Sequence, residues 1–85
     1  MNFTILWDDD AVTVLRKLPK EISVRIIDKV TIAATNPFHY LASLQGVSYY
    51  KLRIGDYRVI IELDLSTKTF IVRMIGHRKS VYKSL

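Results

Sequence analysis

Apolar residues along this chain recur with two different periods, and the change of period divides it. Between residues 11 and 34 they return every three to four positions. Ala11, Val14, Leu15 and Leu18 share one helical face; Ile22, Ile26, Val30 and Ala33 share another, with Ile27 and Ala34 beside them. Asp8, Asp9 and Asp10 stand ahead of the first stretch and suit a helix start, by capping and by favourable charge. Pro19 ends this helix near Leu18, because the residue before a proline is driven out of the helical region. A second helix is predicted from Glu21 to about Thr35, with a break short enough for an antiparallel hairpin. Phe3 to Trp7 reads as a short strand, and Asn36-Pro37 opens a loop to about Gly46.

From Val47 onward the period is two. Val47 to Ile54 places Tyr50, Leu52 and Ile54 on one face and Tyr49, Lys51 and Arg53 on the other. Gly55-Asp56 is a turn. Tyr57 to Leu63 sets Tyr57, Val59, Ile61 and Leu63 against Arg58, Ile60 and Glu62. After a turn at Asp64 to Lys68, Thr69 to Ile75 sets Phe70, Val72 and Met74 against Ile71, Arg73 and Ile75. Gly76 is expected to end that strand, with a short helical turn or tail following. The prediction is an α+β fold in one domain, residues 1–85. An N-terminal strand and an antiparallel helical hairpin pack on a mainly antiparallel sheet of about four strands.

Alternation also sorts the charge. If the three later strands are antiparallel neighbours, Lys51, Arg53, Arg58 and Arg73 converge on the face turned away from the helices, with only Glu62 among them. The net charge of +5 resides entirely in residues 51–85, since residues 1–50 carry five basic and five acidic groups. A one-sided basic surface is the electrostatic footprint of a polyanion-binding protein. There are no cysteines, so disulfides and thiolate metal sites are excluded. The three aspartates do not suggest a metal site, because consecutive helical residues point in different directions. The N-terminus lacks the basic region of a signal peptide, and no apolar run approaches the ~20 residues of a membrane span. No cofactor, metal or membrane is expected, and a cytoplasmic location is. Trp7 and Tyr57 are expected to pack internally, and His39 to lie at the surface.

Two segments carry a family resemblance: Leu52-Arg53-Ile54-Gly55-Asp56-Tyr57-Arg58-Val59-Ile60, and the ending Gly76-His77-Arg78-Lys79-Ser80-Val81-Tyr82. In the predicted order of elements they resemble RelE toxins of the RelE/ParE superfamily, and the ending is more RelE-like than ParE-like. The resemblance covers nearly the whole chain. It implies a RelE-like fold and the toxin of a type II toxin–antitoxin system, neutralised by a RelB-type antitoxin on a separate chain. It further implies a metal-independent endoribonuclease that cleaves mRNA in the ribosomal A site by attack of a ribose 2′-hydroxyl, inhibiting translation.

On this resemblance the catalytic candidates are Lys51, Arg58, Arg78 and Tyr82. Arg58 would grip the scissile phosphate with its planar fork. Arg78 would stabilise the leaving group. Lys51 would handle the 2′-hydroxyl proton, if neighbouring cations favour its neutral form. Tyr82 would orient the nucleophile or stack on a base. Arg53, Arg73, His77, Lys79 and Lys83 are RNA-binding candidates. Two positions depart from some family members by losing positive charge: Tyr49 stands for a lysine and Gln45 for an arginine. Two other readings stay open, the first from the shared fold and motif and the second from these departures. One is a ParE-like poison of gyrase without nuclease activity; the other is a catalytically weakened relic that binds antitoxin.

Overall fold

The computed structural model describes residues 2–44 and 49–77. Its elements, in chain order, are β1 (Thr4–Trp7), α1 (Asp9–Lys17), α2 (Lys20–Ala33), α3 (Pro37–Tyr40), β2 (Ala42–Ser43), β3 (Tyr49–Ile54), β4 (Tyr57–Asp64) and β5 (Thr69–His77). Both long helices begin and end within about two residues of the expected bounds. Leu18 closes α1 in an extended conformation (φ −80°, ψ 153°), as the following proline requires. The carbonyl of Pro19 then accepts from Ile22 N and Ser23 N at 2.9 and 3.0 Å, so the residue that stops one helix starts the next. Ser23 Oγ donates to Leu15 O at 2.7 Å and ties the two helices across this joint.

The sheet has five strands in the order β1-β5-β4-β3-β2. Four of them run as antiparallel neighbours, and β1 lies parallel to β5. The expected four-stranded sheet thus gains a strand and one parallel edge. The added strand is β2, within the segment expected to be loop, where the short helix α3 also forms. The N-terminal segment is fastened at both sides: Phe3 N donates to Ala34 O, and Thr4 N to Lys68 O, each at 2.9 Å.

The core lies between the helices and one face of the sheet. Ala11, Ile26, Val30 and Ala33 meet Leu52, Val59, Ile61, Phe70 and Val72, all fully or almost fully buried. Ile22, Val14, Leu15 and Leu18 pack around them, as does Trp7. Ile27, expected beside the buried stripe, is instead 41 % exposed, because α2 turns its flank to solvent there.

The largest departure from simple alternation is in β5. Ile60 faces Met74, and Ile61 faces Val72, so Arg73 has no opposite residue on β4. This is a β-bulge, and one extra residue reverses the parity of the rest of the strand. Ile75, expected on the open face, therefore enters the core, and Met74, expected in the core, joins the open face. The strand also continues through Gly76 to His77 rather than ending at Gly76. Ile60 lies on the open face by register, between Lys51 and Met74, yet is fully buried.

The β4–β5 turn is held by Asp64. Its Oδ1 accepts from Ser66 Oγ at 2.7 Å, Ser66 N at 3.1 Å and Thr67 N at 3.3 Å. The bond from the Ser66 hydroxyl, followed by that from the Thr67 amide, holds this carboxyl below the ordinary value of 3.8. A depressed folded-state value means the stabilisation is present above about pH 3.8 and is lost as pH falls through the lower folded value. Asp64→Asn should therefore lower the urea midpoint at pH 6, and the gap to wild type should close below pH 3.8. A gap of constant size across that range would show that the carboxylate charge plays no part.

Candidate functional site

The sheet face opposite the helices carries the cations. Tyr49, Lys51 and Arg53 project there from β3, and Arg58, Ile60 and Glu62 from β4, the central strand. The ladder register sets Arg53 directly opposite Arg58, with Lys51 two residues away opposite Ile60. Like charges directly opposite one another destabilise a strand pair. Among the described residues, no carboxylate forms an ion pair with Arg53 or Arg58.

Arg58 is held by its own turn. Its Nη1 donates to Tyr57 O at 3.2 Å and to Gly55 O at 3.3 Å. These long bonds use one nitrogen of the guanidinium and leave its remaining donors available for an anion. Gly55 makes the arrangement possible. Its φ of +58° is a left-handed conformation that glycine adopts without strain, and it closes the β3–β4 turn within two residues.

Arg73 differs from Arg53 and Arg58. Its Nη1 lies 3.3 Å from Asp8 Oδ2 and its Nε 3.5 Å from Glu62 Oε1. The face thus sets a neutralised cation beside Arg53 and Arg58, which have no carboxylate partner among the described residues. Asp8 occupies the N-cap position of α1 but makes no side-chain capping bond; its carboxylate turns to Arg73 instead. The cause is topological. Parallel pairing of Trp7 with Val72, continued by Asp8 N donating to Val72 O at 2.9 Å, delivers Asp8 to the bulge.

His77 falls on the helix side of the sheet because of the same bulge. It lies opposite Tyr57, with ring centroids 6.0 Å apart at 73°. The structure therefore brings Lys51, Arg53 and Arg58 together, adds Arg73 in paired form, and turns His77 to the other side. Arg78, Lys79, Tyr82 and Lys83 lie outside the described residues, as does Gln45. Tyr49 stands on the open face opposite Glu62.

Sequence reasoning passed over two cations of α2. Arg25 and Lys29 share a groove with Arg53 and Gly55. Their i, i+4 spacing on the polar side of a helix was the available signal, but nothing local tied that side to the β3–β4 turn. Among the described residues, no group of three or more His, Cys, Asp or Glu is placed to hold a metal ion. No helix among them is long and apolar enough to cross a membrane.

Comparison with known proteins bears on the whole architecture. A chain of the RelBE2 toxin–antitoxin complex from Mycobacterium tuberculosis superposes with a TM-score of 0.81 at 21% identity, over 92% of this chain and 100% of that one. A free-state mutant of the E. coli toxin RelE gives 0.81 at 20% identity, over 99% and 93%. A chain of the RelB–RelE antitoxin–toxin complex from Methanococcus jannaschii gives 0.74 at 28% identity, over 94% and 98%. The fold is RelE-like. No curated protein matches the sequence. The model of the ParE toxin of the type II toxin–antitoxin system parDE matches residues 5–82, nearly the full length. By that match this chain is a member of the ParE toxin family and a toxin of the RelE/ParE superfamily of type II toxin–antitoxin systems.

Proposed function

We propose that this toxin is a metal-independent endoribonuclease that cleaves mRNA in the ribosomal A site and so inhibits translation. One observation carries the reading: Arg53 stands opposite Arg58 on an open sheet face, and neither has a carboxylate partner among the described residues. A like-charge pair of this kind is relieved by a bound anion, and a phosphodiester, like a carboxylate, matches a planar guanidinium.

In the proposed reaction the ribose 2′-oxygen attacks the adjacent phosphorus as its proton leaves. The bond from phosphorus to the 5′-oxygen breaks, giving a 2′,3′-cyclic phosphate and a 5′-hydroxyl. Arg58 binds the phosphate and stabilises the charge that builds on it, and Arg53 adds to the field. Lys51, two residues along the same strand face, handles the 2′-hydroxyl proton. Arg78 stabilises the departing oxygen, which takes its proton from water, and Tyr82 orients the nucleophile or stacks on a base. Lys79 and Lys83 contribute RNA contacts. Arg73, neutralised by Asp8 and Glu62, shapes the face rather than gripping phosphate. His77, against Tyr57, is assigned no part in the chemistry. A RelB-type antitoxin is the proposed partner, supported by similar chains solved as RelB–RelE complexes, and the proposed location is the cytoplasm, where ribosomes translate.

The test is incubation of purified toxin with mRNA-programmed ribosomes, mapping new 5′-ends and the chemistry of the 3′-ends. Cuts within the A-site codon ending in 2′,3′-cyclic phosphate are expected. The family match itself favours a second reading, a ParE-like gyrase poison. Intact mRNA together with blocked gyrase supercoiling would establish that reading and overturn the first.

Arg53→Glu separates stability from activity. It converts a repelling cross-strand pair into an attracting one, a change of about 0.2–1 kcal/mol for such pairs. The variant should unfold at higher urea than wild type and cleave mRNA less well. Equal urea midpoints would mean that the repulsion between these arginines is already fully screened.

A further inference from the structure

A second cationic feature lies around the corner from the open face. Arg25, Asp28, Lys29 and Ile32 of α2 and Arg53, Ile54 and Gly55 line a groove of about 340 Å³. Three cations thus share it with one carboxylate, and Asp28 forms no ion pair with any of them. Arg25 and Lys29 are exposed, one helical turn apart, and so separated by about 6 Å along the axis of α2. The groove adjoins the candidate site through the β3–β4 turn. Arg25 Nη1 lies 3.6 Å from where a Cβ on Gly55 would be, and Arg58 Nη1 donates to the carbonyl of that same glycine. Arg53 belongs to both regions: it lines the groove and stands opposite Arg58 in the ladder.

We infer that this groove is a nucleic-acid backbone site, in which Arg25, Lys29 and Arg53 take phosphates of the strand whose scissile phosphate lies at Arg58. The inference rests on the proposed RNA-directed function and extends it to residues outside the reaction centre. Charge without paired carboxylates, at neighbouring points along one edge, fits a ligand with regularly repeated negative charge. Asp28 is the groove's opposing group, and removing its charge should strengthen the site.

The probe is a fluorescein-labelled 2′-O-methyl RNA of about a dozen nucleotides, which spans a single-strand binding surface and lacks the attacking hydroxyl. Its affinity for wild type, Arg25→Gln/Lys29→Gln and Asp28→Asn is measured by anisotropy across a salt series. Each phosphate contact on a single strand contributes about 0.7 to the slope of log K against log salt. The double variant should therefore lose about 1.4 from that slope. From about 50 to about 200 mM salt, wild type should weaken about sevenfold more than the double variant. Asp28→Asn should bind more tightly than wild type at low salt. This gain cannot come from misfolding, and far-UV circular dichroism checks the double variant directly. An unchanged slope in the double variant, or unchanged affinity in Asp28→Asn, would overturn the inference. So would unchanged RNA binding together with lost binding of a poly-glutamate peptide, which would assign the groove to a protein. The two proposals fail separately. Wild type that binds the probe but leaves ribosome-bound mRNA intact defeats only the nuclease; a cleaving wild type whose slope survives the double substitution defeats only the groove.

Discussion

Arg58→Ala should lower single-turnover cleavage of ribosome-bound mRNA by about 10²–10³-fold, the usual loss when one fixed donor to a developing charge is removed. The side chain sits on the central strand, opposite Arg53, with one nitrogen on its own turn. Alanine removes the charge without disturbing the core, because Arg58 lies on the face away from the helices. Its two bonds to carbonyls are 3.2 and 3.3 Å long and local to the turn, so little stability goes with them. Loss of repulsion from Arg53 offsets part of that. The variant should therefore remain folded, with a urea midpoint close to that of wild type. Arg58→Lys should fall between the two, since it keeps the charge but cannot hold two phosphate oxygens in a plane. If Arg58→Ala cleaves within a few-fold of wild type, this face is not where the reaction occurs.

Phe70→Ala should be among the most destabilising single changes in the chain, at about 3–5 kcal/mol. Phe70 is fully buried in β5, between Ile5 of β1 and Leu63 of β4 in the ladder. It therefore packs where the parallel and antiparallel parts of the sheet meet. Small domains have about 5–15 kcal/mol of total stability, and a chain of 85 residues belongs near the lower end. The variant should show a strongly reduced urea midpoint or a substantial unfolded fraction at 37 °C by circular dichroism. Phe38→Ala is the control. Phe38 is 61 % exposed, and its truncation removes chiefly an edge-on contact with Tyr50, a cost of about 0.5–1.5 kcal/mol. Similar losses from both would mean that the core is not organised around β5.

Phe70 also marks how far local pattern reaches. Alternation alone assigns it to the core face, together with Leu52, Val59, Ile61 and Val72, and all five are buried. The helix stripe of Ile26, Val30 and Ala33 emerges equally from spacing. The convergence of Lys51, Arg53 and Arg58 is legible because the β3–β4 turn is short and fixes the register. Features that escape such a reading depend on elements distant in sequence. The bulge at Arg73 has no local signature, since Val72-Arg73-Met74-Ile75 reads as ordinary strand. Pairing between Arg73 and Asp8 requires β1 to lie parallel to β5, a contact across more than sixty residues. Segment 36–46 reads as loop because its helix and strand are only four and two residues long, too short to show a period. Ile60 is buried through its lateral neighbours, which are known only once the strands are aligned.

The bulge makes position 73 respond to the loss of a whole residue differently from its paired neighbours. A substitution at Arg73 alters one partly exposed side chain and its surface ion pairs, which are worth about 0–1 kcal/mol. A deletion of the same codon removes the unopposed residue and leaves Val72 opposite Ile61, Met74 opposite Ile60 and Ile75 opposite Val59, so the strand residues beyond it keep their faces. Deletion of Val59 from β4, which has no surplus residue, would instead turn Arg58 toward the core. A scan of point variants would score this position as tolerant, and a scan of single-codon deletions would score it as the most tolerant position within the paired part of β4 and β5. The strand carries one residue more at that point than its pairing uses.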